Sequence, residues 1–432
     1  MDADIIIIGA GIAGLTAAQQ LATAGKRVLI LEGRPRPGGR INTTHNTAFT
    51  QPVELGAEFI HGKLENTFKL LKRYKIATTK IGGSFWLWEQ GMFKYEGDFI
   101  EHARLLDKPL KNLKSDKTVE AFLKTLPRDE RHTQLKESVR RFVEGYDAAD
   151  PAKASALAFR REWQEQEDAQ FRIEGGYGAL VNALAADCRK LGVRILTDHA
   201  VKKLKWKKGL VEVSMAGTQK FAAAKCIITV PIGVLQLPAH HPDAILFSPA
   251  LPEKTKAANN IGYGPVIKVL LEFKSAFWKQ HKVHAGWGRN LKKLGFLFSD
   301  TGLPTWWTQH PSSLPLLTGW IGGPSAAKLQ HLSNEELLVE ALTTLSVIFN
   351  RPIAALRANL AACEIANWGN DPFAHGAYSY TIAKQQQARR QLAAPVSGTL
   401  YFAGEACCTG TEAGTVEGAI ISANRVVKLL LK

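Results

Sequence analysis

The chain has 432 residues, 45% of them hydrophobic, with 55 Lys and Arg against 39 Asp and Glu for a formal charge of +16. That size builds a globular protein of two or three domain units, and no apolar run reaches the roughly 18 residues a membrane span needs, the closing VVKLLLK being too short and too charged. The positive excess would attract polyanions, yet no zinc finger, RRM signature or arginine-rich tail accompanies it, so nucleic-acid binding has no support.

Five cysteines, an odd number without a CxxC pair, exclude a disulfide framework and a cysteine metal site. Cys188, Cys226 and Cys363 read as small buried apolar residues; the adjacent Cys407 and Cys408 read as packing, with redox sensitivity as the alternative. The start, MDADIIIIGAG, has no basic n-region and no cleavage site, which makes the cytoplasm the expected location.

The chain opens with a buried strand, Asp4 to Ile8, turns through GAGIAG, forms a helix to Ala24 and returns as a strand from Arg27 to Leu31 that ends at Glu32. Gly9 makes the tight turn, Gly11 lets backbone approach a pyrophosphate, and Gly14 lets helix and strand pack closely around Ala13. The helix N-terminus then faces phosphate, and Glu32 accepts from ribose hydroxyls. In GRPRPGGR, which follows at residues 33 to 40, Gly33 leads into Arg34 and Arg40, both able to reach phosphate oxygens, while Gly38 and Gly39 permit a turn against a flat ring.

The segment from 80 to 171 is helical in pattern: DKTVEAFLKTL and ESVRRFVEGYDAA space apolar residues three and four apart. KKLKWKK at 202 to 208, between Val201 and GLVEV, reads as an exposed hairpin. GPVIKVLLEF at 264 to 273 reads as a strand whose alternation puts Ile267, Val269, Leu271 and Phe273 on one face and Lys268, Leu270 and Glu272 on the other. On the strand alone, solvent is the expected surrounding of Lys268. VHAGWG and LGFLFSD read as further strands, and Ser333 with Glu336 forms a capping box before a helix. Trp86, Trp88, Trp306, Trp307 and Trp320 fall in this region as core residues or as a stripe gripping a methylene chain. Near the end, strand Thr399 to Ala403 leads through Gly404 and Glu405 to a helix entered at about Gly414, whose N–H groups at Thr415 and Val416 would meet a partly anionic ring oxygen, with Gly418 letting the helix lie close to the ring.

Together with ELGAEFIHG at 54 to 62, IEGGYGALVNALA at 173 to 185, CIITVPIGVL at 226 to 235 and WGNDPFAHGAYSY at 368 to 380, these motifs resemble the flavin-containing amine oxidase superfamily over most of the chain. The resemblance implies FAD held by a Rossmann-like α/β domain discontinuous in sequence (1–79, 172–238, 364–432) and an inserted α+β substrate domain of mixed sheet and helices (80–171, 239–363). It adds Gly56, Ala57, Glu58, Phe59, Val201 and Val230 to the cofactor contacts, gives Lys268 a water held against flavin N5, sets Trp368 beside the ring and makes Tyr378 one wall of the amine's approach.

A lysine in such a cavity loses hydration, which suits it to water positioning or proton relay. Two departures carry meaning. Ala377 stands where monoamine oxidases carry their covalent cysteine, so the FAD is expected to be noncovalent; Thr415 stands where they use a second tyrosine, leaving the aromatic cage half open. ELGAEFIHG is closest to the spermine and acetylpolyamine oxidases, whose pattern places a histidine at His61; that imidazole is expected to line the substrate channel and to change charge near neutral pH. Carboxylates for a polycation are sought among Glu58, Glu89, Glu174 and Glu412. The implied reaction takes a small amine and O2 to an imine, hydrolysed to an aldehyde, and hydrogen peroxide. The alternatives are an L-amino-acid oxidase, a monoamine oxidase or a flavin-bound protein without catalysis; no helical tower of the histone-demethylase kind and no preceding helical domain is expected.

Overall fold

The computed structural model describes residues 1–96, 99–165, 169–281 and 290–432. Strand Ala3–Ile8 is buried at every position but Asp4, as an isoleucine run inside a parallel sheet must be. Val28–Leu31 and Lys220–Ile228 flank it in parallel. Arg194–Leu196 extends one side, Leu400–Phe402 adds to Lys220–Ile228 in parallel, and the antiparallel strands Leu210–Met215 and Val201–Lys207 continue the other side. Helices Ile12–Thr23, Tyr177–Lys190 and Val416–Leu430 share one core with Ile5, Ile7 and Ile30. Ile6, Ile8 and Leu29 pack the opposite face. Both faces of the sheet are therefore covered, which is why its strands read as continuous apolar runs.

The lysine-rich hairpin is confirmed: Lys203, Lys205 and Lys207 are exposed while Val201 and Leu204 are buried. Leu246–Ser248 pairs in parallel with Val201–Lys207, so the segment from 239, expected to open the substrate domain, first returns to this sheet. After it the chain enters the second sheet at Val266, and the seven strands of that sheet run in the order Leu360–Asn367, Val266–Phe273, Leu316–Gly322, Thr305–Thr308, Leu294–Ser299, Ser84–Glu89 and Met92–Glu96. The region read as helical in pattern thus opens with an aromatic hairpin, SFWLWE paired with MFKYE; the stronger helical periodicity downstream hid it. Its helices follow, with Val119–Leu123 and Glu130–Gly145 capped by Thr118 and Asp129. The VHAGWG strand lies outside the described residues.

Val266–Phe273 is buried at all eight positions, which corrects the solvated face expected for Lys268. Ile267, Val269, Leu271 and Phe273 pack into a core with helix Asn334–Phe349, whose Ser333–Glu336 capping box is present. On the other face Leu270 packs with Phe49, Val53 and Leu55, and Glu272 accepts from the Thr50 backbone N–H. The irregular segment before Glu54 is the cover that alternation alone does not reveal. No single helix among the described residues is long and apolar enough to cross a membrane; the pair Asn334–Phe349 and Ile353–Asn359, bent by 111°, has the length and composition only together and buries Leu337, Leu342 and Leu345 in the core of the second sheet.

Candidate active site

A cavity of about 690 Å³ runs from the glycine loop of the first sheet to the aromatic face of the second. At its nucleotide end Gly9 adopts φ +105°, and a Cβ on Gly14 would lie 2.0 Å from the Gly9 carbonyl, whereas one on Gly11 would meet nothing nearer than Gly38 O at 4.0 Å. Gly11 and Ala13 line the cavity, as do Val201 and Val230. The Glu32 carboxylate accepts from Ala10 N at 2.7 Å and Arg34 N at 2.9 Å, which fixes it at the strand tip with lone pairs left for hydroxyls.

Gly38 and Gly39 take φ +109° and +60°, and Arg36 ties their turn by donating to Ile41 O and Gly39 O. The two arginines expected on phosphate are already engaged. Arg34 forms a bidentate pair with Asp371 at 2.7 and 2.5 Å. Arg40 bridges Ala377 O and Glu405, and a Cβ on Gly56 would lie 1.8 Å from Arg40 O. Gly33 lies beneath Phe373, where a Cβ would sit 2.5 Å from the ring. These arginines shape the cavity wall through protein contacts, a role that their charge alone did not distinguish from phosphate binding.

Gly404, Glu405, Gly414, Thr415 and Val416 all line the cavity. The Thr415 N–H donates to Glu412 O at 3.2 Å, so it is not free for a ring oxygen as expected; Val416, first residue of its helix, has no intrahelical acceptor for its N–H. Gly418 faces Glu412 O, 2.2 Å from where a Cβ would be, and serves that turn rather than the ring. Trp368 is buried and donates Nε1 to Leu55 O at 2.9 Å. Tyr378 donates its hydroxyl to Tyr146 O at 2.6 Å and stacks at 20° on Trp320. Among the described lining residues there is no cysteine.

Lys268 is fully buried, and its Nζ donates to Glu58 Oε2 at 2.7 Å and to Gly56 O at 3.3 Å. Lys268 is thus one partner in a buried ion pair. Glu58 Oε1 also accepts from Arg172 Nε at 2.9 Å and Trp307 Nε1 at 3.1 Å. Burial alone would raise the Glu58 pKa, but Lys268 and Arg172 outweigh it and hold it at about 2. Glu58 is therefore unavailable as a carboxylate for substrate.

Phe59 and His61 project toward the cavity from the short strand Phe59–His61, as their shared face predicts. Phe59 meets Trp307 at 5.4 Å and His61 meets Tyr146 at 5.1 Å between centroids. Burial pushes the His61 pKa down to about 4, so the imidazole stays neutral through physiological pH, contrary to expectation. Its buried Nδ1 has no partner. Of the remaining carboxylate candidates, Glu89 pairs with Lys94, Glu174 is bound by Thr79, and Glu412 lines the cavity. Trp86 and Trp306 are core, and Trp88 is nearly so; Trp307 and Trp320 line the cavity.

Two functional candidates escaped the sequence. Asp147, just past helix Glu130–Gly145, and Glu162, on helix Ala156–Glu165, both line the cavity and are hydrogen-bonded to each other. Burial raises both, Glu162 to about 7 and Asp147 well above its usual range with Glu162 adding to the effect. Burial and mutual repulsion thus oppose ionising both carboxylates at once. The one local signal in EGYDAAD is an acid just after a helix end with no basic residue beside it.

A nucleotide sheet covered on both faces, with a glycine loop and a ribose acid, joined to an aromatic cavity under a second sheet, defines a flavoprotein. The model of the family "Flavin containing amine oxidoreductase" matches residues 12–431, and the chain belongs to that family. Polyamine oxidase 4 of Oryza sativa subsp. japonica is 28% identical over 97% of this chain and 86% of its own length. Lysine-specific histone demethylase 1 homolog 2 of the same plant is 28% identical over 99% of this chain, which spans only 57% of that relative. Cyclohexylamine oxidase from Brevibacterium oxydans IH-35A superposes with a TM-score of 0.80 at 22% identity, covering 100% of both chains; wild-type putrescine oxidase bound to putrescine gives 0.80 at 19%, covering 100% and 99%. The cofactor of the family is a flavin, and the open side of Gly11 and the Glu32 carboxylate suit the dinucleotide FAD.

Proposed function

We propose that the chain is an oxidase of polyamine-type amines that holds FAD noncovalently. Gly9, Gly11, Glu32 and the Gly38–Gly39 turn would hold the dinucleotide, and Trp368, Lys268 and the Gly414–Val416 turn would surround the ring. Bound there, FAD would supply two-electron oxidation of the carbon–nitrogen bond, with O2 as the final acceptor and hydrogen peroxide as its product. Tyr378, stacked with Trp320, offers an apolar approach for the unprotonated reacting amine. The neutral His61 leaves Nδ1 open to a hydrogen bond with substrate or a water, and no strong base is needed.

The observation that carries the polyamine reading is the Asp147–Glu162 pair. A monoamine has no use for it. A second ammonium, linked to the reacting nitrogen by methylenes lying along Trp307, Trp320 and Phe142, would displace a proton from the pair and be paired in a dry site. The 28% identity to plant polyamine oxidases supports the same reading.

A peroxide assay of the holoprotein tests it, with spermine, spermidine, their acetylated forms, putrescine, benzylamine, L-amino acids and a methylated histone-tail peptide. The expected result is the highest kcat/KM with a di- or polyamine. Preference for an amino acid, a monoamine or the peptide would reassign the substrate, and no peroxide with any of them would favour a noncatalytic flavoprotein.

A further inference from the structure

Lysine is a flexible point charge on a four-carbon stem, and a cavity that must place its ammonium against one edge of a ring needs something to stop it rotating away. The only charged partner of Lys268 among the described residues is Glu58, and the geometry of Glu58 is over-determined. Its Oε1 is occupied by Arg172 Nε at 2.9 Å, Trp307 Nε1 at 3.1 Å and Gln309 Nε2 at 3.4 Å. Arg172 is itself fixed, donating Nη2 to Thr308 O at 3.0 Å and Nη1 to His310 O at 3.3 Å, with its guanidinium 4.9 Å over Phe59. Only Oε2 is left, and it takes Lys268 at 2.7 Å. The Gly56 carbonyl takes a second ammonium N–H at 3.3 Å. An ammonium has three donors, so one remains to hold a water or meet a cofactor atom.

We propose that Glu58 is the positioning residue for Lys268: it uses Oε2 to fix the ammonium so that the third N–H points at the reactive edge of the flavin. Glu58 touches neither substrate nor reacting atoms and acts only through the lysine. This inference rests on the flavin-oxidase reading above, but it does not depend on which amine is oxidised. The other carboxylate near the lysine is Glu54, which burial raises to about 7; it is held by the Tyr177 N–H and Thr43 Oγ1 and has no hydrogen bond to Lys268.

The test is a double-mutant cycle on the FAD-loaded protein with Glu58→Gln, Lys268→Met and both together. Flavin is reduced with dithionite, so no amine is involved, and its reoxidation by O2 is followed by stopped flow alongside the visible spectrum of the resting flavin. E58Q keeps the side chain's size and removes its charge. The expected result is reoxidation slowed about tenfold by E58Q and more by K268M, the same spectral change in both, and a double variant within about twofold of K268M alone. A normal rate and spectrum in E58Q, or an effect of E58Q that persists undiminished in the K268M background, overturns the proposal. Should E58Q lose its FAD or fail to fold, Glu58→Asp retains the charge but withdraws Oε2; slowed reoxidation with intact FAD supports the proposal, and unchanged reoxidation overturns it. Absence of amine turnover would leave these readings intact and count only against the substrate assignment.

Discussion

Arg40 Nη1 lies 2.9 Å from Glu405 Oε1 across a sequence separation of 365 residues, closing the arginine–glycine motif of the first strand pair onto the turn after the last strand. Glu405 is buried, and its Oε2 is taken by Ser379 Oγ, which also accepts from Arg389 Nη1 at 2.8 Å. Removing Arg40 strands a buried carboxylate beside a cofactor cavity. Arg40→Met should cost about 3 kcal/mol of stability, the scale for breaking a buried ion pair by removing one partner, read as a lower urea midpoint of the flavin-free protein. A loss below about 0.5 kcal/mol, the size of an exposed pair, would show that this contact does not join the motifs.

The Asp147–Glu162 pair makes a pH prediction with two opposite signs. Both folded-state pKa values are raised, so the pair's contribution to stability is fully present below the ordinary carboxylate range and is lost as pH rises through about 7 for Glu162. A cationic guest wants the ionised pair, so diamine affinity should rise over the same window, by up to about tenfold per pH unit below it. Anaerobic titration of a diamine against the oxidised protein measures the second effect, and thermal unfolding without ligand measures the first. Asp147→Asn should flatten both curves; unchanged curves would remove the pair from substrate binding.

Two glycines of the same loop separate folding from cofactor binding. At Gly14 a methyl group would meet a carbonyl oxygen at 2.0 Å, a contact that backbone must move to relieve, so Gly14→Ala should be poorly folded with or without FAD. At Gly11 the backbone lies at φ −69° and the new Cβ would point into open space at the cavity wall. Gly11→Ala should therefore unfold at the same temperature as the parent when both lack FAD, yet bind FAD at least about tenfold more weakly, because the methyl group takes the place of the approaching phosphate. Unaltered FAD affinity in a folded Gly11→Ala would move the pyrophosphate elsewhere.

That contrast also marks what the sequence could disclose. The turn at Gly9, the contact of Gly14 with Gly9 and the Glu32 tip all join residues within one strand–helix–strand unit, so spacing alone encodes them. Lys268 and Glu58 are 210 residues apart, and Arg34 and Asp371 are 337 apart; in each case the charge is legible locally and the fold chooses its partner. An arginine in a glycine loop has the same spelling whether it holds a phosphate or an aspartate. Alternation likewise located the two faces of Val266–Phe273 but not the irregular segment around Phe49 that covers one of them. The acidic pair was hardest to read, because neither residue belongs to a motif and the two meet only when a helix end and a following helix enclose the same cavity.

The noncovalent attachment proposed for the flavin rests on Ala377. A covalent thioether needs a cysteine thiolate at the ring, and the residue before Tyr378 is Ala377, whose methyl side chain offers no nucleophile. Cys407 and Cys408 are near in sequence to the cofactor turn but buried away from the cavity, and burial pushes the Cys407 thiol up to about 12, so it remains protonated. Precipitating the holoprotein with acid should leave the yellow colour in the supernatant, with an absorbance equivalent to about one flavin per chain, and FAD added back to the refolded flavin-free protein should restore the resting spectrum. Colour that stays with the pellet after denaturation would place a covalent bond in this cavity and require a nucleophile other than these cysteines.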